Sequence, residues 1–292
     1  MSKLSVSIAT FAIRRYDTLA ALEAHVEEVV DEAKRGGARV VLLPEMGNVG
    51  LLWSEPTSVD VPVREIGATY GTVLTPFFAP FRAAMQRIAK AHDVVLVGPT
   101  FWHRTDGVGT NSALVFMPDG REYRQDKIHP TRPEMAIDTT GGDALVSFEI
   151  DGIKAAVLIC YDVQFPELTR KLVDNGVQML LVPSLTSRRG YWRVRYASHA
   201  RAGENQIYVC VSPLFGNLGI PSEYPLQACG GAYVTCPIDN RFGVEDGLLA
   251  SAPHDEEGIL NVELDFDLLQ LSRDKGEIRP LKDRRPELYA SL

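Results

Sequence analysis

Two rhythms of apolar residues alternate along the first hundred positions. Met1 to Ile8 alternates apolar and polar like a strand. Leu19, Leu22, Val26, Val29 and Ala33 then recur at helical steps, predicting an amphipathic helix that Asp17 caps and the Gly36-Gly37 pair stops. Val40-Val41-Leu42-Leu43 is a short continuous run of branched residues, which suits a strand covered on both faces. The order repeats as a helix from Phe81 to Ala91 and a strand from Val94 to Val97. Helix followed by buried strand, twice over, predicts a layered α/β fold.

The middle of the chain reads as hairpins. Asn111 to Met117 and Arg121 to Lys127 flank Pro118-Asp119-Gly120, and Leu145 to Ile150 and Ile153 to Cys160 flank Asp151-Gly152. A mixed sheet follows. Beyond Phe165 the helix-strand alternation resumes: helix Glu167 to Asn175, strand Val177 to Val182, helix Trp192 to Glu204, strand Ile207 to Val211. Late strands are expected at Ala232 to Val234 and Ile259 to Leu264, then a short helix near Asp267. Phe215 to Gly231 reads as a long loop, since no composition break divides the chain. The organisation expected is one domain over 1–265 and a charged C-terminal extension over 266–292.

Composition narrows the class. Of 292 residues 45% are hydrophobic and 23% charged, which fits a globular protein and excludes a fibrous or mainly disordered one. The 30 basic and 38 acidic side chains give a net charge of −8, so no nucleic-acid partner is expected. No apolar run approaches the ~18 residues that span a bilayer, so no membrane partner is expected either. Cys160, Cys210, Cys229 and Cys236 form no C-x-x-C pair and no metal-finger spacing with histidine. Sparse cysteines and the absence of a signal-peptide pattern at the start lead to the expectation of a cytoplasmic protein with free thiols and no metal.

Reactive side chains stand at three strand ends: Leu43-Pro44-Glu45, Gln125-Asp126-Lys127 and Leu158-Ile159-Cys160. Ligands gather at the carboxyl ends of strands in open α/β sheets. A buried strand cysteine is most often a small hydrophobe. Cys160 differs because Cys160-Tyr161-Asp162-Val163-Gln164-Phe165-Pro166-Glu167 turns sharply from strand to a proline-marked helix start, which can hold a nucleophile near backbone amides. Burial of Glu45 would raise its pKa and make it a usable general base. Lys127, taken alone, ends a charged run and reads as surface.

Together these segments resemble the nitrilase superfamily, the carbon-nitrogen hydrolases, whose Glu-Lys-Cys triad falls in this order at three strand ends. Gln125 to Pro130, Cys160 to Leu168, Val182-Pro183-Ser184, Gly190 to Arg195 and Ala200 to Gln206 extend the resemblance over nearly the whole chain. It implies a four-layer α-β-β-α sandwich, no cofactor, and pairing into a homodimer or larger homo-oligomer. The helices starting at Phe165 and Trp192 would make the contact, with the charged tail reaching across. It also implies a hydrolase that cleaves a non-peptide C–N bond of a small amide or carboxamide through a thioester on Cys160. Glu45 is then the general base, and Lys127 with the amide after Cys160 stabilises the oxyanion. Glu134, on an expected loop seven residues past Lys127, fixes Lys127 or holds the substrate nitrogen.

Other readings stay open at this point. Nitrile or N-carbamoyl hydrolysis could use the same triad, and a non-catalytic binding protein could keep the fold. A papain-like pairing of Cys160 with His129 or His199 is a further alternative. The neighbouring ammonium of Lys127 would lower the thiol pKa, so that Lys127 and Glu45 together could deliver a thiolate without any histidine. For the substrate pocket the candidates are Tyr161, Trp53, Trp192 and Arg188. The last two lie in a segment of aromatics among arginines that clamps a substrate carboxylate or serves a subunit interface.

Overall fold

The computed structural model describes residues 2–55, 65–217, 219, 227–289 and 291. Strands β1 (Lys3–Ala12), β2 (Val40–Leu42) and β3 (Val95–Val97) lie parallel, with β4 (Phe101–Thr105), β5 (Val108–Phe116) and β6 (Glu122–Asp126) added antiparallel beside β3. The second half begins with the hairpin β7 (Ser147–Ile150) and β8 (Ile153–Val157). Parallel strands β9 (Met179–Leu185) and β10 (Tyr208–Asn217) continue it. β11 (Gln227–Ala228), β12 (Tyr233–Thr235) and β13 (Leu248–Ser251) extend its far side, and β14 (Gly258–Asp265) returns to pair with β1. The halves join where the end of β1, at Phe11 and Ala12, pairs with Leu214 and Phe215 of β10.

Side-chain alternation explains the layers. Val40, Leu42, Val95, Val97 and Val115 face the second half and share its core, whereas Val41, Leu43, Leu96, Leu114 and Phe116 face outward. Helices α1 (Leu19–Arg35) and α3 (Phe78–His92) cover that outer face through Leu22, Val26, Phe81, Met85 and Ile88. α5 (Pro166–Asp174) and α6 (Arg188–Asn205) cover the other outer face through Leu172, Val194 and Ala202. The result is the four-layer α-β-β-α sandwich. Each fully buried aliphatic or Phe side chain in it contributes ~1.5–3 kcal/mol.

Several boundaries differ from expectation. Thr18, not Asp17, caps α1, its hydroxyl accepting from Ala21 N at 3.2 Å. β10 runs on past the expected end at Val211, pairing with β9 through Pro213 and Leu214. Helix α2 (Ile66–Val73), β4 and β13 were not predicted, because none carries a long periodic pattern. Residues 218 and 220–226 of the predicted loop lie outside the described residues. Helix α7 (Phe266–Lys275) buries Phe266 and Leu269 in the core, and beyond it α8 (Pro286–Tyr289) follows Arg284, which pairs with Asp174 of α5 at 2.7 Å. No helix among the described residues is long and apolar enough to cross a membrane.

Candidate active site

β6 points its carboxyl end the way β2 does, because β5 runs antiparallel to both β3 and β6, and β8 does so through its parallel path by β9, β10 and β1 to β2. Glu45, Lys127 and Cys160, each just past its strand, are therefore delivered to one place from the two halves of the sandwich. All three are buried, at 2%, 2% and 4% exposure. Two of the turns involved are strained: Cys160 sits at φ +47° and Met46, beside Glu45, at φ +52°. A non-glycine residue there costs ~1–3 kcal/mol and persists only where its surroundings hold it.

Lys127 Nζ donates to Glu45 Oε1 at 2.7 Å and to Glu134 Oε2 at 2.6 Å. Two of its three N–H donors are used, which leaves the third for another acceptor. Glu134 belongs to α4 (Arg132–Met135), one helical turn where a loop was expected. Its Oε2 also accepts from Thr131 N and Oγ1, both at 2.8 Å, so the carboxylate closes the turn that carries it. Glu45 Oε1 accepts from both Lys127 and Asn111, whereas Oε2 accepts from Leu185 N at 2.8 Å. Oε2 therefore keeps more room for a proton.

The Cys160 thiol donates to Leu185 O at 3.6 Å and accepts from Ser184 Oγ at 3.5 Å. Tyr161 follows it in the first turn of a 3₁₀ helix over Cys160–Gln164, where an N–H has no intrahelical acceptor. Asp162, fully buried, accepts from Ile128 N at 3.0 Å and His129 N at 2.8 Å, tying the cysteine turn to the backbone after Lys127. Gly141 is needed beside that backbone, since a Cβ there would meet Ile128 O at 2.3 Å.

Burial raises the Glu45 pKa above the usual carboxylate range, with Glu134 adding to the effect and Lys127 opposing it. Burial pushes Glu134 the same way, but Lys127 and Asn111 outweigh it and hold Glu134 low. Lys127 stays charged, because the two carboxylates overcome its own desolvation. Burial and the Glu45 charge push the Cys160 thiol up, more than Lys127 lowers it. The resting group is a thiol. This corrects the expectation of a thiol pKa lowered by the ammonium, which left the desolvation out of account.

His129 makes no hydrogen bond to the thiol; its ring Nδ1 donates to Asp162 Oδ1 at 3.1 Å and the ring stacks on Phe165 with centroids 3.6 Å apart. His199 bonds to Asp246 O at 3.2 Å. No Cys–His pair forms at Cys160 among the described residues, so the papain-like alternative has no geometry behind it. Tyr161 lies edge-on to Phe165, and Trp53 lies under the Arg15 guanidinium at 3.8 Å. Trp192 is 44% exposed and stacks on Tyr196, and Arg188 is exposed at the start of α6. Neither joins the buried cluster among the described contacts. The inward arginine of that segment is Arg195, which donates to Tyr191 Oη at 2.9 Å and covers Tyr233. Asn111, Thr131, Asp162 and Ser184 went unassigned from sequence, although Asp162 stands two residues past the cysteine in the quoted motif. Among the described residues no His, Cys, Asp and Glu side chains group so as to hold a metal ion.

A family model described as carbon-nitrogen hydrolase matches residues 6–274. "Probable hydrolase YhcX" of Bacillus subtilis (strain 168) is 32% identical over 267 residues, covering 90% of this chain and 50% of that protein. The chain thus spans half the length of that relative. A chloroplastic omega-amidase of Arabidopsis thaliana is 25% identical over 281 residues, covering 91% of this chain and 69% of that protein. Among solved structures, a mutant of the Nesterenkonia AN1 amidase from the nitrilase superfamily superposes with a TM-score of 0.74 at 20% identity, covering 99% of this chain and 96% of that one. At that identity the likeness is one of fold.

Proposed function

The chain belongs to the carbon-nitrogen hydrolase family, and from that membership we propose that it cleaves the C–N bond of a small amide through a thioester on Cys160. One observation carries this reading: Leu185 donates its N–H to Glu45 and accepts the Cys160 thiol at its carbonyl, so base and nucleophile share one anchor. As Sγ attacks the amide carbon, its proton passes to Glu45. The C=O electron pair moves onto oxygen, where the third N–H of Lys127 and the Tyr161 N–H stabilise it, a contribution of ~3–4 kcal/mol per donor. Collapse of the tetrahedral intermediate breaks the C–N bond, and Glu45 returns its proton to the departing amine. Water then adds to the thioester after losing a proton to Glu45, and collapse releases the acid and restores the thiol. Glu134 holds Lys127 in place throughout.

The raised thiol pKa suits this sequence, since the proton leaves only as the carbonyl carbon arrives. A panel of small amides, nitriles and N-carbamoyl compounds tests the reading by intact mass and ammonia release. The expected result is an adduct on Cys160 and turnover with amides; turnover that survives Cys160→Ala overturns it.

The same proposal places the chain in a homo-oligomer that pairs through α5 and α6, with part of residues 266–292 reaching the partner. It also places it in the cytoplasm, where its four free cysteines stay reduced. Light scattering on the purified protein tests the assembly, and a monomer at all concentrations overturns it.

A further inference from the structure

Two carboxylates that share one ammonium repel each other, and burial strengthens that repulsion. Asn111, at 1% exposure, stands where it can relieve it. Its Nδ2 donates at 2.9 Å to Glu45 Oε1 and at 2.9 Å to Glu134 Oε1, one hydrogen to each. Its backbone carbonyl accepts from Lys127 N at 2.9 Å, so the same residue also sets the height of the ammonium. The orientation of the amide follows from a second contact. Thr100 Oγ1 accepts from Met46 N at 2.9 Å, and its own hydrogen is then free to go to Asn111 Oδ1, 2.6 Å away. A flipped amide would set its oxygen against two carboxylate oxygens and leave the threonine hydrogen without an acceptor. The relay starts at Met46, the strained residue beside Glu45, so the turn that carries the base and the clasp that holds it are one hydrogen-bonded unit.

We propose that Asn111 is a positioning residue that holds Glu45 and Glu134 on either side of Lys127, and that Thr100 keeps its amide turned for that task. This rests on Glu45 being the base for Cys160. Hydrogen bonds to the charged form of a carboxylate favour that form. Losing the Asn111 donors therefore makes Glu45 harder to ionise, and the base becomes available only at higher pH.

Alkylation of Cys160 by iodoacetamide, followed by intact mass against pH, reads this without knowledge of the natural substrate. In the wild-type protein the rate rises with pH through an acid limb set by the buried carboxylates. Asn111→Ala moves that limb up by about one pH unit, the size of one lost charge-assisted hydrogen bond. Thr100→Val moves it the same way by less, and Thr100→Ser, which keeps the hydroxyl, returns it towards wild type. An asparagine that only filled space would lower the unfolding temperature and leave the limb in place. An unmoved limb in folded Asn111→Ala overturns the proposal. Should that variant not fold, identical limbs in Thr100→Val and Thr100→Ser overturn it. A wild-type profile with no acid limb, or label on another cysteine, overturns the reading of Glu45 and Cys160 itself, and the wild-type measurement alone reveals it.

Discussion

Cys160 and Cys210 meet most of the same physical conditions. Both are buried in the same apolar cluster, on strands or turns of the same half of the sandwich. Burial pushes both thiols well above their ordinary pKa. The difference lies in what surrounds the sulfur. Cys210 sits mid-strand in β10, opposite Leu181 of β9 and Val234 of β12, and desolvation is all that acts on it. Cys160 has left its strand for a strained turn, where a carboxylate, an ammonium, a hydroxyl and a carbonyl meet the sulfur. Burial alone makes a thiol inert. Burial beside a carboxylate whose own pKa is raised gives the thiol a neighbour that can accept its proton.

The largest effect that tests this contrast is deletion of each sulfur. Cys160→Ala is expected to lower amide turnover by about 10⁵- to 10⁶-fold, the scale of losing a nucleophile. Cys210→Ala is expected to leave kcat within a factor of two or so, since nothing polar meets that sulfur. Ammonia release measures both, and comparable losses in the two variants would break the comparison.

Glu45→Gln comes next. Glutamine keeps the shape and cannot take a proton, so a loss of about 10³- to 10⁴-fold is expected. The pH profile carries the sign. Protonated Glu45 cannot accept the thiol proton, so kcat/KM rises with pH through the Glu45 pKa, which burial places above the ordinary carboxylate range. In Glu45→Gln that limb should vanish from the residual activity; a limb that persists would move the base elsewhere.

Glu134→Ala should lower acylation by roughly 10²-fold, because Lys127 loses one of its two anchors and, in the proposed mechanism, drifts from the oxyanion. The same carboxylate closes the turn at Thr131, so a loss of about 1 kcal/mol in stability accompanies it. Stopped-flow acylation and thermal unfolding separate the two effects. An unchanged acylation rate would leave Glu134 only its role in the turn.

Much of this site was visible in the sequence because Glu45 and Cys160 follow apolar runs, whereas Lys127 follows a charged run and was singled out only by the order of the three residues in the family it resembles. What stayed hidden depends on geometry that no periodicity encodes. Asn111 opens the run Asn111-Ser112-Ala113-Leu114-Val115 and looks like an ordinary polar strand residue; only the β5–β6 register brings it beside Lys127. Glu134 read as loop because four residues are too few to show a helical period. The start of α6 was placed late, at Trp192, because Gly190 interrupts the pattern. In the structure Gly190 is required there, since a Cβ would meet Thr186 Cβ at 2.7 Å. Val40 to Leu43, in contrast, read directly as a strand covered on both faces, and in the structure its side chains alternate between two cores, while the four-layer order came from the family resemblance.

The smallest effect sharpens the comparison most, because it concerns the cysteine with no chemistry. Cys210→Ser changes sulfur to a hydroxyl at a position with no exposure, on a strand whose backbone groups already pair with β9 and β12. A buried hydroxyl without a partner costs about 1–3 kcal/mol. Turnover per folded molecule should stay as it was, while the unfolding midpoint in urea falls. Iodoacetamide should label Cys160 in the native protein at a rate that follows the acid limb, and Cys210 only as fast as the sandwich opens. Adding urea below the midpoint should therefore speed labelling of Cys210 and not of Cys160. If both sulfurs react at one rate in the native state, the neighbouring groups do not separate them, and the contrast drawn from Glu45 and Lys127 falls.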